Sequence, residues 1–252
     1  MTIPSVLNPS GPALQLNLIM DFEVRCDGEP VPIAPASQRL VCFLAFQPRP
    51  VRRTYVSGTL WYDADDRHAS SSLRSALWRL QPMELVCVSN THLWLNPCVQ
   101  VDLRRVIDRA EGVLRSEPDA ETVFRVAQEL IEVGNDILAG WYEDWVIVER
   151  ERFRQVRLHA MDRIGELLIQ QGRWYDALQV ALAAISTEPL RESAHRLLVK
   201  IHLQEGNIAE AIHQYRSYAE LLRRELNGRP SAAIRELLAP FVVIPAPAGA
   251  VR

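Results

Sequence analysis

Arginine and serine side chains recur at helical spacing in the segment 67–80 of this 252-residue chain. On a wheel of about 100° per residue, one side is apolar and comprises Ala69, Leu73, Ala76, Leu77 and Leu80. The opposite side, with Ser70 and Gln81 at its edges, comprises Ser71, Ser72, Arg74, Ser75, Trp78 and Arg79. Arginine binds guanine edges or phosphates, and serine permits close approach, which suits a helix in a major groove. Taken alone, the pattern favours the solvated face of an ordinary amphipathic helix.

Further polar residues flank this helix and could contact phosphates beside it. The upstream set is Arg39, Arg52, Arg53 and Arg67. A hairpin turn is predicted between Val88 and Leu93, and it carries Ser89, Asn90, Thr91 and His92. In winged DNA-binding domains such a hairpin after the recognition helix is called the wing, so this turn is the candidate wing. Trp78 could contact a sugar or a thymine methyl, or it could pack on the wing or on a second domain.

Acidic and histidine side chains do not have the spacing of a metal site. Asp63, Asp65 and Asp66 lack the turn glycine and the distant glutamate of a calcium loop, so they are expected to cap the helix that follows. His195 and His202 lie two turns apart on one predicted helix, or about 10 Å, which is too far for two ligands of one ion. We therefore interpret them as surface or interhelix histidines.

Composition and motifs argue against several classes of protein. The chain is 48% hydrophobic and 23% charged with a net charge of −3. These values are typical of a globular protein, and any contact with DNA must come from a local basic patch. No apolar run approaches the roughly 18–20 residues of a membrane span, and no signal peptide is recognisable. We expect a cytoplasmic protein without membrane contact.

Motifs of catalysis and cofactor binding are absent from the sequence. It contains no phosphate loop, GxGxxG, nucleophile elbow or HExxH, so neither enzymatic activity nor a cofactor or metal is expected. The cysteines form no CxxC pair and are predicted to be buried or half-buried thiols: Cys26, Cys42, Cys87 and Cys98.

The order of elements in the first 102 residues is typical of a winged helix-turn-helix with a small leading sheet. Alternating apolar residues from Leu14 to Met20, extended by Phe22 and Val24, predict a strand, and Asp27-Gly28 predicts a hairpin turn. Helices are predicted over 36–46, 55–61 (with Thr54 as N-cap) and 67–80. Short strands are predicted over 85–88, 93–95 and 99–101.

Helical periodicity dominates after Asp102. Helices are predicted over 103–115, 120–139, 145–171, 174–187, 191–205, 208–226 and 231–238. Gly172 and Gly206 lie 34 residues apart, as do Ala177 and Ala211, which matches the tetratricopeptide period. The aromatic cluster Trp141, Tyr142 and Trp145 is interpreted as a buried hinge that clamps the helical domain; a small-ligand site is the alternative.

The predicted fold class is an α+β N-terminal winged helix-turn-helix domain followed by an all-α tetratricopeptide-like domain. The predicted organisation is a flexible arm over 1–12, a DNA-binding winged helix over 13–102, a helical domain over 103–239 and a flexible tail over 240–252.

The sequence resembles the SARP family of bacterial transcriptional activators. In the first half the resemblance lies in Ser37-Gln38-Arg39-Leu40, Leu60-Trp61-Tyr62-Asp63 and the segment 69–80. In the second half it lies in "LAGWYEDWVIVERERFRQVRLHAMDRI", in "EPLRESAHRLLVKIHLQEGNIAEAIHQYRSYAELLRREL" and in "PSAAIRELL". It covers roughly residues 14–238.

This resemblance implies a regulator that binds double-stranded promoter DNA, recruits RNA polymerase and assembles as side-by-side protomers, at least on DNA. Together with the winged-helix order, it favours DNA contact by Arg52, Arg53, Arg67, Ser71, Ser72, Arg74, Ser75, Arg79, Asn90 and His92. One departure weakens the expected affinity, because Gln81-Pro82-Met83 stands where related helices continue with basic residues.

Two other functions remain open at the level of sequence. A scaffold that has lost DNA binding would use the helical repeats to hold a protein. A ligand-gated regulator would bind its effector near Trp141 and Trp145.

Overall fold

The computed structural model describes residues 13–134 and 136–241. The predicted arm over 1–12 lies outside this part, as does the predicted tail apart from Pro240 and Phe241. The strands are β1 (Leu14–Asn17), β2 (Glu23–Cys26), β3 (Glu29–Pro30), β4 (Val51–Arg52), β5 (Val86–Val88), β6 (His92–Leu95) and β7 (Gln100–Val101).

The helices follow the predicted order closely. They are α1 (Pro35–Ala45), α2 (Arg53–Leu60), α3 (Asp66–Leu80), α4 (Asp102–Arg115), α5 (Ala120–Val133), α6 (Asp144–Gln170), α7 (Trp174–Thr187), α8 (Glu192–Gln204), α9 (Ile208–Leu226) and α10 (Ala232–Leu238). Contacts divide the described residues into two units, 13–105 with 136–152 and 106–134 with 153–241.

The first unit begins with a four-stranded sheet in the order β3-β2-β1-β7. The predicted alternation is confirmed for Leu14, Leu16 and Leu18, which are buried. It is wrong for Met20, which is exposed because the chain turns there with φ 69° after β1 has ended at Asn17. The predicted turn is also confirmed, since Asp27 and Gly28 have φ values of 51° and 87° and join β2 to β3. β7 runs parallel to β1, with Gln15 opposite Gln100.

Three helices and a second sheet complete the winged helix. α1 buries the continuous apolar run Leu40–Ala45, which gives α3 a surface to pack on. Within that contact the buried Ser37 hydroxyl donates to the carbonyl of Ala76 at 3.1 Å. The second sheet has the order β4-β6-β5, so the β5–β6 hairpin is the wing predicted after α3.

The predicted N-cap of α2 at Thr54 is wrong. α2 starts two residues earlier, at Arg53, and the capping position is Arg52, whose side chain makes no capping hydrogen bond. The reason is a pairing distant in sequence. Val51 and Arg52 form β4 against Leu93 and His92, and the Arg53 amide donates to the Thr91 carbonyl at 2.9 Å.

The predicted helix over 120–139 ends early, at Val133, because Gly134 adopts φ +60°. Ile137 instead forms an antiparallel bridge with Ile19, and the Leu138 amide donates to Leu18 at 2.9 Å. The Arg150 guanidinium donates to the Ile137 carbonyl at 2.7 Å. Residues 136–152 thus belong to the first unit, whereas the sequence places them in the helical domain.

The second unit contains the predicted repeat. Gly172 and Gly206 have φ values of +71° and +77° in the turns before α7 and α9, and Ala177 and Ala211 are fully buried. Both turns require the left-handed backbone that glycine adopts without a steric penalty. α7 packs on α8 and α8 on α9, which is the stacking expected of tetratricopeptide-like units.

Candidate nucleic-acid interface

The polar side of α3 is accessible. Ser71, Arg74, Ser75 and Arg79 are exposed and Ser72 is half-buried, while Ala69, Leu73, Ala76 and Leu80 are buried. Leu77, expected to be buried with them, is half-buried. The amphipathic pattern read from the sequence therefore corresponds to the packing of the helix within its own unit.

Asp65 fixes the start of α3. Its carboxylate accepts a hydrogen bond from the His68 amide at 2.8 Å, and this bond lowers the pKa of Asp65. The capping predicted for the acidic turn is confirmed at this residue. A carboxylate at this end of the helix also interacts favourably with the helix dipole.

The guanidinium groups of the predicted interface are unpaired. Among residues 13–134 and 136–241, no salt bridge involves Arg52, Arg53, Arg67, Arg74 or Arg79. Arg39, which the sequence groups with them, instead lies 3.0 Å from Glu143 and is half-buried. Since an ion pair already neutralises Arg39, it contributes less to a phosphate contact than the sequence suggests.

A cleft of about 590 Å³ collects several of these residues between α2, α3 and the wing. Its lining includes Arg52, Arg53, Arg74, Asn90 and His92 from the predicted set and carries no carboxylate. Three guanidinium groups beside hydroxyl and amide groups form a positive, hydrogen-bonding surface suited to phosphate. Thr54 and Ser57 also line the cleft. Neither residue could be assigned to the site from the sequence, because only their place on α2 brings them there.

The wing turn is held by its own hydrogen bonds. The Ser89 amide donates to the His92 carbonyl at 2.9 Å, and the His92 amide donates to the Ser89 hydroxyl at 2.9 Å. The Thr91 hydroxyl lies 2.8 Å from Nδ1 of His92. These bonds order Asn90 and His92 before any ligand arrives.

A second cleft, of about 620 Å³, lies on the other side of Arg74, between α3 and β5. Trp78 is 74% exposed and lines it with Val86 and Val88, so Trp78 does not pack closely on the wing. Glu84 adds a carboxylate here, just after the 3-10 turn Gln81–Met83 that ends the helix. α3 therefore ends at Leu80, as the sequence predicts.

Five residues of the predicted set line neither cleft. These are Arg67, Ser71, Ser72, Ser75 and Arg79. The Ser75 hydroxyl donates to the Ser71 carbonyl at 3.1 Å, one helical turn back. Arg67 and Arg79 are exposed near the two ends of α3, where each could approach a duplex only outside the clefts.

The acidic, histidine and cysteine side chains singled out in the sequence do not cluster as metal ligands within the described residues. In the described part of the chain, no group of three or more His, Cys, Asp or Glu could hold a metal ion. His195 is buried between helices as expected. The cysteines are free, but Cys98 is exposed rather than buried. No helix within the described ranges combines the length and apolar character needed to cross a membrane.

The comparison with known families rests on the helical half. Residues 101–239, more than half of the chain, match the family described as the bacterial transcriptional activator domain. The chain belongs to this family. The resemblance to SARP-type regulators is confirmed.

Two known proteins are similar to this family member. It is 26% identical over 237 residues to the regulatory protein AfsR of Streptomyces coelicolor, covering 89% of this chain and 24% of AfsR. The chain thus spans about a quarter of that relative. The fold of this chain is similar to that of Mycobacterium tuberculosis EmbR, which was solved in complex with a low-affinity phosphopeptide. The TM-score is 0.70 and the identity 18%, and the match covers 90% of this chain and 64% of that chain. The predicted fold class is confirmed.

Proposed function

We propose that this protein is a sequence-specific DNA-binding transcription regulator that activates by recruiting RNA polymerase to a promoter. The observation that carries the proposal is the set of five unpaired arginines on α2, α3 and β4, three of which meet in a cleft without carboxylates. Elsewhere many arginines are neutralised by a neighbouring acid, as in Arg109–Glu129 and Arg191–Asp162. Unpaired guanidinium groups gathered on one surface favour a polyanionic partner.

The contacts divide into two kinds. Phosphate contacts, which set the register of the protein on the duplex, would come from residues that flank α3. These residues are Arg52, Arg53, Asn90 and His92. Arg74, with the exposed serines of α3, would reach base edges in the major groove and discriminate sequence. Arg67 and Arg79 would add phosphate contacts at the helix ends.

The defining experiment is selection of genomic fragments by the purified chain, followed by sequencing and a salt titration on the selected duplex. For a protein that neutralises several phosphates, log affinity falls steeply and linearly with log salt, with a slope of about −0.9 per phosphate. We expect enrichment of one sequence class and such a slope. An affinity independent of salt, with no enriched sequence, would reject the proposal and favour a scaffold role for the helical repeats.

Activation and assembly form a separate part of the proposal. Membership in an activator family supports recruitment of RNA polymerase, and the resemblance to SARP regulators supports a homodimer at least on DNA. In vitro transcription from the selected promoter tests the first, with stimulation expected only when the enriched sequence is present. The mass of the complex on that duplex tests the second, with two chains expected per duplex.

A further inference from the structure

A cleft of about 930 Å³ in the first unit is separate from the surface proposed to contact DNA. It is bordered by the first half of α1, by the end of α2 with the residues that follow it, and by residues 140–145, which lead into α6. It shares no lining residue with the two clefts beside α3. Its size lies within the range of about 300–1,000 Å³ typical of sites for small organic ligands.

Four aromatic side chains line this cleft, two packed against other aromatic rings and two exposed. Trp145 makes an edge contact with Phe43, with ring centroids 5.5 Å apart, and Trp141 lies 6.4 Å from Trp145. Tyr142 and Tyr62 are 82% and 77% exposed. The predicted buried hinge is therefore wrong for Tyr142, which points to solvent. Exposed tyrosines beside fixed tryptophans offer ring faces to a ligand rather than to the core.

The charges of the cleft favour a cation. Arg39 and Glu143 form an ion pair at 3.0 Å and neutralise each other. Asp63 and Asp144 also line the cleft, and neither makes an ion pair or a side-chain hydrogen bond with other described residues. Two carboxylates beside aromatic faces attract an organic cation through charge and through cation–π interaction. An anion is disfavoured because Asp144 occupies the first turn of α6, where an anion would otherwise bind.

We propose that this cleft binds a small organic cation with a flat apolar body, such as an aryl amine or a quaternary ammonium compound. The apolar body would lie against Trp141, Trp145 and the two tyrosines, and the cationic group would face Asp63 and Asp144. The proposal is independent of DNA binding, because it concerns other residues and is tested without DNA.

The experiment compares three probes that share a benzyl or phenyl group and differ in charge. Benzyltrimethylammonium, benzyl alcohol and phenylacetate are titrated into the full chain, with saturation-transfer NMR and tryptophan fluorescence as readouts. Fragments of this size are expected to bind in the millimolar range. We expect the cation to bind about 10-fold more tightly than the alcohol, and phenylacetate to bind most weakly.

Variants locate the site. The double variant Asp63→Asn/Asp144→Asn should bind the cation about as weakly as it binds the alcohol. Tyr142→Ala should lower the affinity for all three probes. The matched controls are Asp108→Asn and Tyr175→Ala, which alter exposed residues outside the cleft and should change nothing. The proposal would be overturned if the three probes bound equally or not at all. It would also be overturned if the double variant kept the preference for the cation over the alcohol. Absent binding is also the outcome expected if a peptide segment fills the cleft.

Discussion

The pairing state of each arginine separates structural from interaction roles in this protein. Arg157 is only 2% exposed, and burial lowers its pKa to about 10. Its guanidinium donates to the Leu130 carbonyl at 2.7 Å and to the Thr187 hydroxyl at 2.8 Å, so it ties α5, α6 and α7 together. Arg74 and Arg79 are exposed and have no such acceptors in the described ranges.

Arg74→Ala and Arg79→Ala are expected to weaken DNA binding without lowering thermal stability. Both side chains are exposed. Loss of the proposed base contact of Arg74 should cost about 1–3 kcal/mol, whereas loss of the proposed phosphate contact of Arg79 should weaken binding to all sequences. Affinity for the selected duplex and the unfolding temperature are the two measurements. Arg216→Ala is the matched control, since Arg216 is exposed on α9 in the second unit and makes no ion pair with described residues. Unchanged affinity in both variants would remove α3 from the proposed interface.

His195 is expected to make stability fall in mild acid. Burial lowers its pKa, and the neutral ring fits its partners, with Nε2 donating to the Pro189 carbonyl at 2.8 Å and Nδ1 accepting from the Gln214 amide at 2.7 Å. The ring also stacks on Tyr218 at 4.1 Å. In the unfolded chain this histidine binds a proton below about pH 6.5, whereas in the folded chain it does so only at lower pH. Between these two pKa values, the free energy of unfolding therefore falls by up to about 1.4 kcal/mol for each pH unit of acidification.

Urea unfolding between about pH 7.5 and 5.5 measures this dependence. The variant His195→Gln should be less stable at pH 7.5 but should show a flatter dependence on pH. His159→Gln changes an exposed histidine and should keep the slope of the unchanged chain. An identical slope in His195→Gln would assign the acid sensitivity to other groups.

At the scale of elements, local patterns predicted most helices and strands, and pairings distant in sequence account for the errors. The apolar stripe of α3 and the alternation of β1 are properties of single segments, and both are confirmed. Ile137 and Leu138 suit a helix or a strand equally, and only their contacts with Leu18 and Ile19 decide between the two.

The candidate site shows the same division between local and distant information. The exposed side of α3 was predictable, because it needs only the helical period. The pairing of Arg39 with Glu143 was not, because it joins residues that are distant in the sequence. Nor could the sequence show that Arg52, Arg53 and Arg74 share a cleft, since this depends on the packing of β4 and α2 against α3.

Gly165→Ala is expected to destabilise the contact between α6 and α8. A Cβ at Gly165 would overlap Cδ2 of Leu197 and lie 3.2 Å from its Cγ, and Leu197 is itself buried. Overpacking of this kind costs about 1–3 kcal/mol, which outweighs the gain of about 1 kcal/mol in helix propensity when the neighbour cannot move. The measurement is thermal unfolding.

Gly112→Ala provides the matched comparison, because Gly112 lies in α4 and a Cβ there meets nothing within 4 Å. This variant should gain stability from helix propensity alone. Finding Gly165→Ala as stable as Gly112→Ala would mean that Leu197 has room to rotate away.

At the scale of the whole molecule, a net charge of −3 coexists with a local basic surface. The negative total disfavours non-specific attraction to DNA at long range, whereas the unpaired arginines act at contact distance. Discrimination between sequences would therefore depend on the α3 surface rather than on general electrostatic attraction.

A chain that ends at residue 105 is expected not to fold cooperatively. Such a fragment lacks Trp145, whose ring contacts Phe43 and Phe46 at 5.5 and 6.0 Å, and it lacks the segment that bridges to Ile19. Circular dichroism during heating tests this, and the full chain is the reference. A sharp unfolding transition in the fragment would show that residues 136–152 are dispensable.

The two-stretch construction of the first unit also constrains how such a protein can change by recombination. Recombination within the intervening residues 106–134 would give a chain whose leading sheet comes from one parent. The residues that pack on the first unit from the later stretch, Ile137, Trp141 and Trp145, would come from the other parent. Mismatched parents would leave a gap or a clash at Phe43, so we expect an exchange of the first unit to require both stretches from the same parent. The span 13–152 is therefore expected to be exchanged as one piece rather than as two interchangeable parts.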